Sequence, residues 1–568
     1  MKGRLLLIVT LLIPGFVAAQ VVKLAPELTQ SQSSQFVSVI VQYRTAPLAV
    51  DTQKMAFRYG IVTSNLSVIN AVQATVPSSS LAALAADPRV AYVSPNRTVR
   101  GSLNNAAPAV LADYAWGLGL DGTGIGVAVI DSGISEVDDV QRGGASRIVY
   151  KADFVGGGTD DLYGHGTHVA GIIGGSGADS TCMVCTTTIK GIAPNVNFVS
   201  LRVLNAQGEG TESAVIQAIQ AAIQLKSVYN IRVINISLGR PVFESYQLDP
   251  LCQAVEQAWK AGIVVVVSAG NGGRDNSAGT QGYATIEAPG NDPYVITVGA
   301  ANSKATPSRA DDIMASYSAK GPTAIDHIVK PDIVAPGNRV VSLAAPAWLE
   351  AQYPQNRVPL NYYMSAGSAS TTSAYFVLSG TSMATGMVSG AVAMMIQNDP
   401  TLTPDQIKAR LMKTAYKGLP RYATVTDGDS VFVVQSDVFT VGAGYLDIQA
   451  ALMNTERASG VAKSPVAAYD SATGNAYFVA DIQTPWGAAA YSSRMAAVKP
   501  SAAWDASTVW GTAEFVSGAP PSSSTTVWGS SAMWGNSAMW GNSAMWGNSA
   551  MWGNSAMWGN ETIINGEY

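Results

Sequence analysis

Cysteine and histidine are both scarce in this chain, with three of each in 568 residues. So few thiols exclude a fold held by a dense disulfide framework, and a chain this long can rely on its core instead. Cys182-Met183-Val184-Cys185 can close one small local disulfide or hold two unrelated thiols, and Cys252 stands apart. A four-ligand zinc site needs more cysteine and histidine than this spacing offers. Charge is scarce as well. Only 13% of the residues are charged and the formal net charge is −5, which removes the electrostatic basis for binding nucleic acid or an anionic membrane surface. Beyond the N-terminus no apolar run is long enough to span a bilayer. The N-terminus itself, Met1-Lys2-Gly3-Arg4, an apolar run from Leu5 to Ile13 and then Val17-Ala18-Ala19 before Gln20, reads as a signal peptide over residues 1–19. The expectation is a secreted protein.

What the chain does have is apolar residues, 47% of the total, in patterns that change along its length. Its length suggests about three or four domains. Residues 20–105 form a first region, with a small α+β core at 36–100. Val37 to Tyr43 and Val68 to Val76 alternate as strands do, Val90 to Val93 supplies a third strand, and Ser80 stands where it can cap a helix Leu81–Ala86. The stretch from Arg97 to Ala107 is polar and contains Gly and Asn, as expected of a linker and a cleavage site. From 106 to 455, short unbroken apolar runs alternate with helical segments. Gly126 to Ile130, Phe198 to Leu201, Val233 to Ile236 and Ile263 to Val267 look like buried parallel strands, with helices from Ser213 to Gln224 and Leu251 to Ala261 between them. This predicts an α/β fold with a doubly wound, mostly parallel sheet, whose ligand sites lie at the carboxyl ends of its strands. Residues 456–568 turn to Ala, Ser, Gly and Pro, and from Val527 to Asn560 a tryptophan recurs every six residues. On a helix that period scatters the indoles over three faces; on an extended chain it puts them on one.

The chemistry-bearing stretch is Leu378-Ser379-Gly380-Thr381-Ser382-Met383-Ala384, which leads from an apolar strand into a helix of small residues. Ser382 at a helix N-terminus can be a plain cap. An acyl-transfer nucleophile would also need a base, a group to orient the base, and donors for an oxyanion. Ile130-Asp131-Ser132-Gly133 ends a buried strand with a carboxylate. Gly164-His165-Gly166-Thr167-His168 puts a histidine at a glycine-flanked helix start, and Ala269-Gly270-Asn271-Gly272 ends another strand with an amide. Each segment alone reads as an ordinary turn, and two histidines at i and i+3 lack a third metal ligand. Together they supply all four requirements.

These segments resemble those of the subtilisin family of serine proteases, whose triad runs in the order Asp, His, Ser. The resemblance implies a serine endopeptidase acting on protein or peptide substrates, with Ser382 as nucleophile, His165 as base, Asp131 as its orienting partner and Asn271 as oxyanion donor. It extends to Gly208 and Gly210 and to Ser237-Leu238-Gly239, which match the segments that bind substrate as an added strand, and to Gly270. Residues 36–100 resemble the family's inhibitory propeptide, and Gly321-Pro322-Thr323, Lys330 to Gly337 and Gly442 to Asp447 match further signatures. Ile286-Glu287-Ala288-Pro289-Gly290 resembles the wall of the primary pocket, with Ala288-Pro289 where relatives carry a cis peptide and Glu287 at the floor. A carboxylate there would favour Arg or Lys, and Arg100 precedes the expected cut; turned to solvent, it would leave the pocket apolar.

Three departures stand out. Gly386 replaces the family's usual proline, which should loosen the helix but leave the triad intact. Residues 345–375 form an insertion, expected as a loop near the cleft. Residues 175–190, where many relatives bind calcium, show no dense oxygen-ligand set, so no cofactor is required and a structural calcium there stays open without a clear ligand set. The repeat of residues 527–560 is expected either to attach the protein to a surface or polysaccharide or bind substrate, dispensably for catalysis, or to be a disordered low-complexity tail removed on maturation. It also carries the competing reading, a non-catalytic adhesion protein acting through that tail.

Overall fold

The computed structural model describes residues 23–24, 28, 36–66, 70–95, 103–277, 280–365, 371–427, 430–458, 460–470, 475–479, 556–558 and 566–567. The signal-peptide segment and the tryptophan repeat before Ala556 lie outside the described residues. The chain divides into two compact units, Met1–Val99 and Arg100–Tyr568. Among the described residues no helix is long and apolar enough to cross a membrane.

In the first unit, β1 (Phe36–Tyr43), β2 (Ile61–Leu66), β3 (Ala71–Pro77) and β4 (Val90–Pro95) form an antiparallel sheet of order β2-β3-β1-β4. The alternation seen in the sequence buries Val39, Val41, Val72, Ala74 and Val76 with Met55, Leu81 and Leu84 of two helices. One of those helices, Ala49–Arg58, and the strand β2 exceed the sequence expectation. The helix buries only one apolar side chain, Met55, too thin a stripe to read. Its start is set by Asp51, which accepts the Leu48 N–H at 3.0 Å and pairs with Arg89. Ser80 takes the cap position of Leu81–Ala86, but its hydroxyl makes no capping bond; a 3₁₀ turn, Ser78–Ser80, leads into the helix instead.

The second unit begins earlier than its polar lead suggested. Residues expected as linker are helical from Leu103, in Leu103–Ala109, and Ala106 and Ala107 are buried. The main sheet then builds from β5 (Gly126–Asp131). After a short hairpin, β6 (Gln141–Arg142) and β7 (Ala145–Ser146), come β8 (Ile148–Asp153), β9 (Asn197–Arg202) and a short β10 (Glu209–Thr211). The sheet continues with β11 (Ile231–Ile236), β12 (Val264–Ser268), β13 (Ile296–Asn302), β14 (Ile313–Met314) and β15 (Ile333–Pro336). The order is β14-β13-β12-β11-β5-β9-β8, with β15 also on β13. Every pairing is parallel except β13 with β14. All residues of β5, β12 and β13 are buried, as both-face coverage of unbroken apolar runs requires. Two helix pairs cover the sheet: Glu212–Gln224 with Pro250–Lys260, and His165–Gly174 with Thr381–Asn398.

From β5 the chain winds one way through β8 and β9, then crosses to β11 and winds the other way through β12 and β13. The reversal opens a crevice beyond the carboxyl ends of β5 and β11. Asp131 closes the first strand and Ser237 follows the second.

The expected insertion is folded rather than looped. It holds the helix Trp348–Gln352 and β17 (Arg357–Pro359). With β16 (Val340–Leu343) and β18 (Thr371–Leu378) it forms a three-stranded antiparallel sheet of order β16-β18-β17. Trp348 stacks on Tyr163 with ring centroids 5.8 Å apart, and Tyr163 lies so near Gly208 that a Cβ there would meet its ring at 2.6 Å. The insertion therefore buttresses the Gly208 turn. Cys182 and Cys185 form a disulfide, Cys252 is a free, buried thiol, and Cys185 bridges to Met364 of the insertion.

Packed structure also continues past 455. After the hairpin of β19 (Tyr422–Asp427) and β20 (Ser430–Gln435) and the helix Ile448–Met453, residues Ala462, Ser464 and Ala467 are buried. They lead into β21 (Val466–Asp470) and β22 (Asn475–Val479), and the Val329 N–H donates to the Pro465 carbonyl at 2.8 Å. An Ala/Ser-rich composition hid this, because small residues pack without an apolar period. A last strand, β23 (Ala556–Trp558), pairs antiparallel with β10.

Candidate active site

Asp131 is the last residue of β5, and its Oδ1 accepts the Ser132 N–H at 2.7 Å. His165 is the first residue of its helix, entered through Gly164 at φ 103°. That entry is held by Asp161, whose carboxylate accepts the N–H groups of Tyr163 (3.2 Å), Gly164 (2.7 Å) and Thr167 (2.9 Å) and the Thr167 hydroxyl (2.6 Å). The imidazole is thereby fixed with Nδ1 at 2.8 and 3.0 Å from the two Asp131 oxygens, both side chains being wholly buried. A carboxylate only accepts, so Nδ1 carries the proton and Nε2 keeps its lone pair. Burial opposes charging of His165, but the Asp131 charge and hydrogen bond outweigh it and Asp161 adds to them, so its pKa is raised above 6.5. Among the described residues His165 Nε2 has no hydrogen-bond partner.

Ser382 is the second residue of the Thr381–Asn398 helix, buried from Thr381 to Ile396. Its hydroxyl donates to the Ser237 carbonyl at 3.0 Å, and its own carbonyl accepts from Ser237 Oγ at 3.1 Å. The serine hydroxyl is thus turned to Ser237 rather than to His165, a looseness common in such sites without substrate. Asn235 supports the arrangement, donating to Ser237 Oγ at 2.9 Å and accepting from Ser389 Oγ at 2.8 Å. Asn271, beyond β12, has its Oδ1 taken by the Thr381 N–H (3.0 Å) and hydroxyl (3.2 Å). Those two donors fix which end of the amide is oxygen, and so the orientation of its NH2 group.

The other expected site residues lie on segments that follow β9, β11 and β12 or pair with them. Asn205 Oδ1 accepts the Gln207 and Glu209 N–H groups at 2.9 and 3.0 Å, which shapes the turn presenting Gly208 and Gly210. Ser237-Leu238-Gly239 runs on from β11, and Arg240 pairs with Ala288 through both backbone groups (3.0 and 2.8 Å). The Glu287 N–H donates to the Ala269 carbonyl at 3.0 Å. Glu287 is half-buried, with its Oε2 withdrawn from solvent. A Cβ on Gly239 would lie 2.4 Å from its Oε2 and one on Gly270 2.8 Å from its Cδ, so the carboxylate sits between the two segments. The Ala288–Pro289 peptide is cis. His168 is committed elsewhere: its Nε2 donates to the Phe376 carbonyl at 3.1 Å, and burial first, then His165, pushes its pKa down to about 3. Among the described residues no cluster of His, Cys, Asp or Glu is arranged to hold a metal ion.

Sequence reading missed Asp161, Thr381 and Asn235. Asp161 carried one usable signal, an acid just ahead of a glycine-marked helix start. The other two act through partners remote in sequence.

A buried, carboxylate-oriented imidazole at one helix start and a serine at the start of another are the groups a serine hydrolase uses for acyl transfer. Comparison with known proteins sharpens this. The Subtilase family (Peptidase_S8) matches residues 122–444. Serine protease AprX of Bacillus subtilis is 38% identical over 363 residues, 61% of this chain and 74% of that protein. Subtilisin DY of Bacillus licheniformis is 35% identical over 312 residues, 54% of this chain and 89% of its own length. An extracellular serine proteinase of a Thermus strain is 35% identical over 364 residues, covering 61% and 71%. The chain belongs to the Subtilase family and is a subtilisin-like serine protease.

Proposed function

We propose that this chain is a secreted endopeptidase, made as a self-inhibited precursor, in which Ser382, His165 and Asp131 carry the reaction. The observation that supports it most is the doubly hydrogen-bonded, buried pair of His165 and Asp131, which leaves Nε2 as the proton acceptor. Ser382 Oγ adds to the scissile carbonyl as its proton passes to Nε2, and that proton then goes to the departing amine as the C–N bond breaks. Water reverses the sequence on the acyl-enzyme. The transient oxyanion meets the Asn271 NH2 group and the Ser382 N–H, with the helix dipole adding to both. Loss of the Asn271 donor should cost about 10²–10³ in kcat, the size known for subtilisin itself.

Substrate lies between Gly208 and Gly210 on one side and Ser237, Leu238 and Gly239 on the other, as an added strand. Gly270 and Glu287 close the primary pocket, and the carboxylate selects Arg or Lys through a charge-assisted bond. Residues 20–105 act as the intramolecular inhibitor until released.

A fluorophosphonate probe tests the core of this reading. It should label Ser382 in the wild-type chain, with no label in Ser382→Ala. A folded wild-type chain that takes no label would return the reading to a non-catalytic surface protein.

A further inference from the structure

Two short segments near the end of the chain return to the catalytic unit. In β23, Trp558 lies opposite Glu209, Met557 opposite Gly210 and Ala556 opposite Thr211, antiparallel on β10. Further on, Glu567 is only 1% exposed. Its Oε1 accepts from the Arg274 guanidinium at 2.8 Å, from the Ser316 N–H at 2.8 Å and from the Ser316 hydroxyl. Asn338 holds its backbone from both directions, donating to the Glu567 carbonyl at 2.7 Å and accepting its N–H at 2.8 Å. A Cβ on the preceding Gly566, at φ +63°, would come 2.4 Å from Ser379 Oγ, so the residue before the glutamate must be bare.

This is a built site rather than a chance surface contact. Arg274 also donates to Ser316 Oγ at 2.7 Å and, independently of Glu567, is held by Asp427 at 2.7 Å and by the Phe432 ring at 4.2 Å. A buried carboxylate is costly unless paired and hydrogen-bonded, and here a guanidinium, a backbone N–H and a hydroxyl serve one oxygen. The two anchors also flank the crevice. β10 follows β9, whereas Arg274 follows β12 and Ser316 follows β14. In the order β14-β13-β12-β11-β5-β9-β8, Asp131 and Ser237 fall between them.

We propose that the C-terminal segment is an intramolecular occupant of the substrate edge. Residues 556–558 take the strand position of a peptide on Glu209–Thr211, and a Gly-Glu site made by Arg274, Ser316 and Asn338 tethers them there. This rests on the reading of Gly208 and Gly210 as substrate-binding. Tethering replaces a bimolecular encounter by a local one, so even a weak strand competes with dilute substrate. The ligand class is a peptide with a strand segment followed by a Gly-Glu pair close to its C-terminus, distinct from the first unit of the chain.

The test uses the enzyme truncated after Thr526 and a synthetic peptide of residues 551–568. The peptide should inhibit hydrolysis of a short substrate competitively, raising KM and leaving kcat unchanged. A peptide carrying Glu567→Gln should be weaker by about tenfold or more. The full chain should show a higher KM than the truncated enzyme at equal kcat, and Glu567→Gln in the full chain should lower it. Equal KM values, or a peptide that fails to compete, overturn the proposal while peptide hydrolysis itself still stands. Should the truncated enzyme lack turnover and the full chain take no fluorophosphonate label, the catalytic reading fails separately. Anisotropy of the labelled peptide then decides this one: binding weakened by Glu567→Gln supports it, and no binding overturns it.

Discussion

In the proposed mechanism His165 is where local electrostatics bear most directly on rate. A general base must be neutral, and this imidazole's pKa is raised above 6.5 because Asp131, with Asp161, outweighs burial. Protonation therefore sets in at higher pH than for a free imidazole as the medium is acidified. The acid limb of kcat/KM should have its midpoint above pH 6.5, read from a pH profile of short-peptide hydrolysis. A midpoint at or below that value contradicts the role given to Asp131. In the proposed reading Glu287 bears on selectivity instead. Replacing its charge in Glu287→Gln should cut cleavage after Arg relative to Phe by about 10- to 100-fold. Faster cleavage after Phe in the wild type, unaltered by the substitution, would leave the pocket apolar in function. As candidates, Asp131, Asn271 and Ser382 were legible because each follows an apolar run closely and has a glycine near it, and His165 because glycines flank it at a helix start. Thr381 was not, because a threonine in a first helical turn has an ordinary meaning until Asn271, far off in sequence, is brought to it.

At the scale of elements, the buried strands were legible for a physical reason: a strand covered on both faces has no polar positions to break the run. The insertion and the segment after 455 were not, since their partners are distant and their residues small or mixed. The serine helix also departs from expectation. It runs unbroken through Gly386, which packs against Ile172 of the histidine helix closely enough that a Cβ would meet that side chain at 3.0 Å. Tight packing between the two helices, rather than local propensity, holds it straight. Near β13 and β15, Lys330 and Lys408 lie 2.7 and 3.3 Å from Asp332, and all three side chains are fully buried. Burial drives the Lys408 pKa down to about 7, against the pull of Asp332 and with the push of Lys330. Asp332→Asn would strand two buried amines without their counter-charge. It should destabilise the protein by about 3–5 kcal/mol, measured as a lower urea midpoint. An unchanged midpoint would mean the lysines simply deprotonate at little cost.

For the whole molecule the proposal of self-inhibition makes a direct demand. If residues 20–105 are released by the chain's own site, Ser382→Ala should be recovered with them still attached, as read by mass spectrometry. Their efficient removal in that variant, with no other protease present, would rule out self-processing. The arrangement of sulfur carries a different implication, one about the medium in which the enzyme can work. Cys182 and Cys185 are three residues apart, so their cross-link closes a very small loop and restricts the unfolded chain little, while Cys252 is buried. Stability rests on the packed sheet and not on an oxidised framework. Added thiol reductant should therefore leave both the melting temperature and the turnover of this protease nearly unchanged, freeing its working life from the redox state of its surroundings.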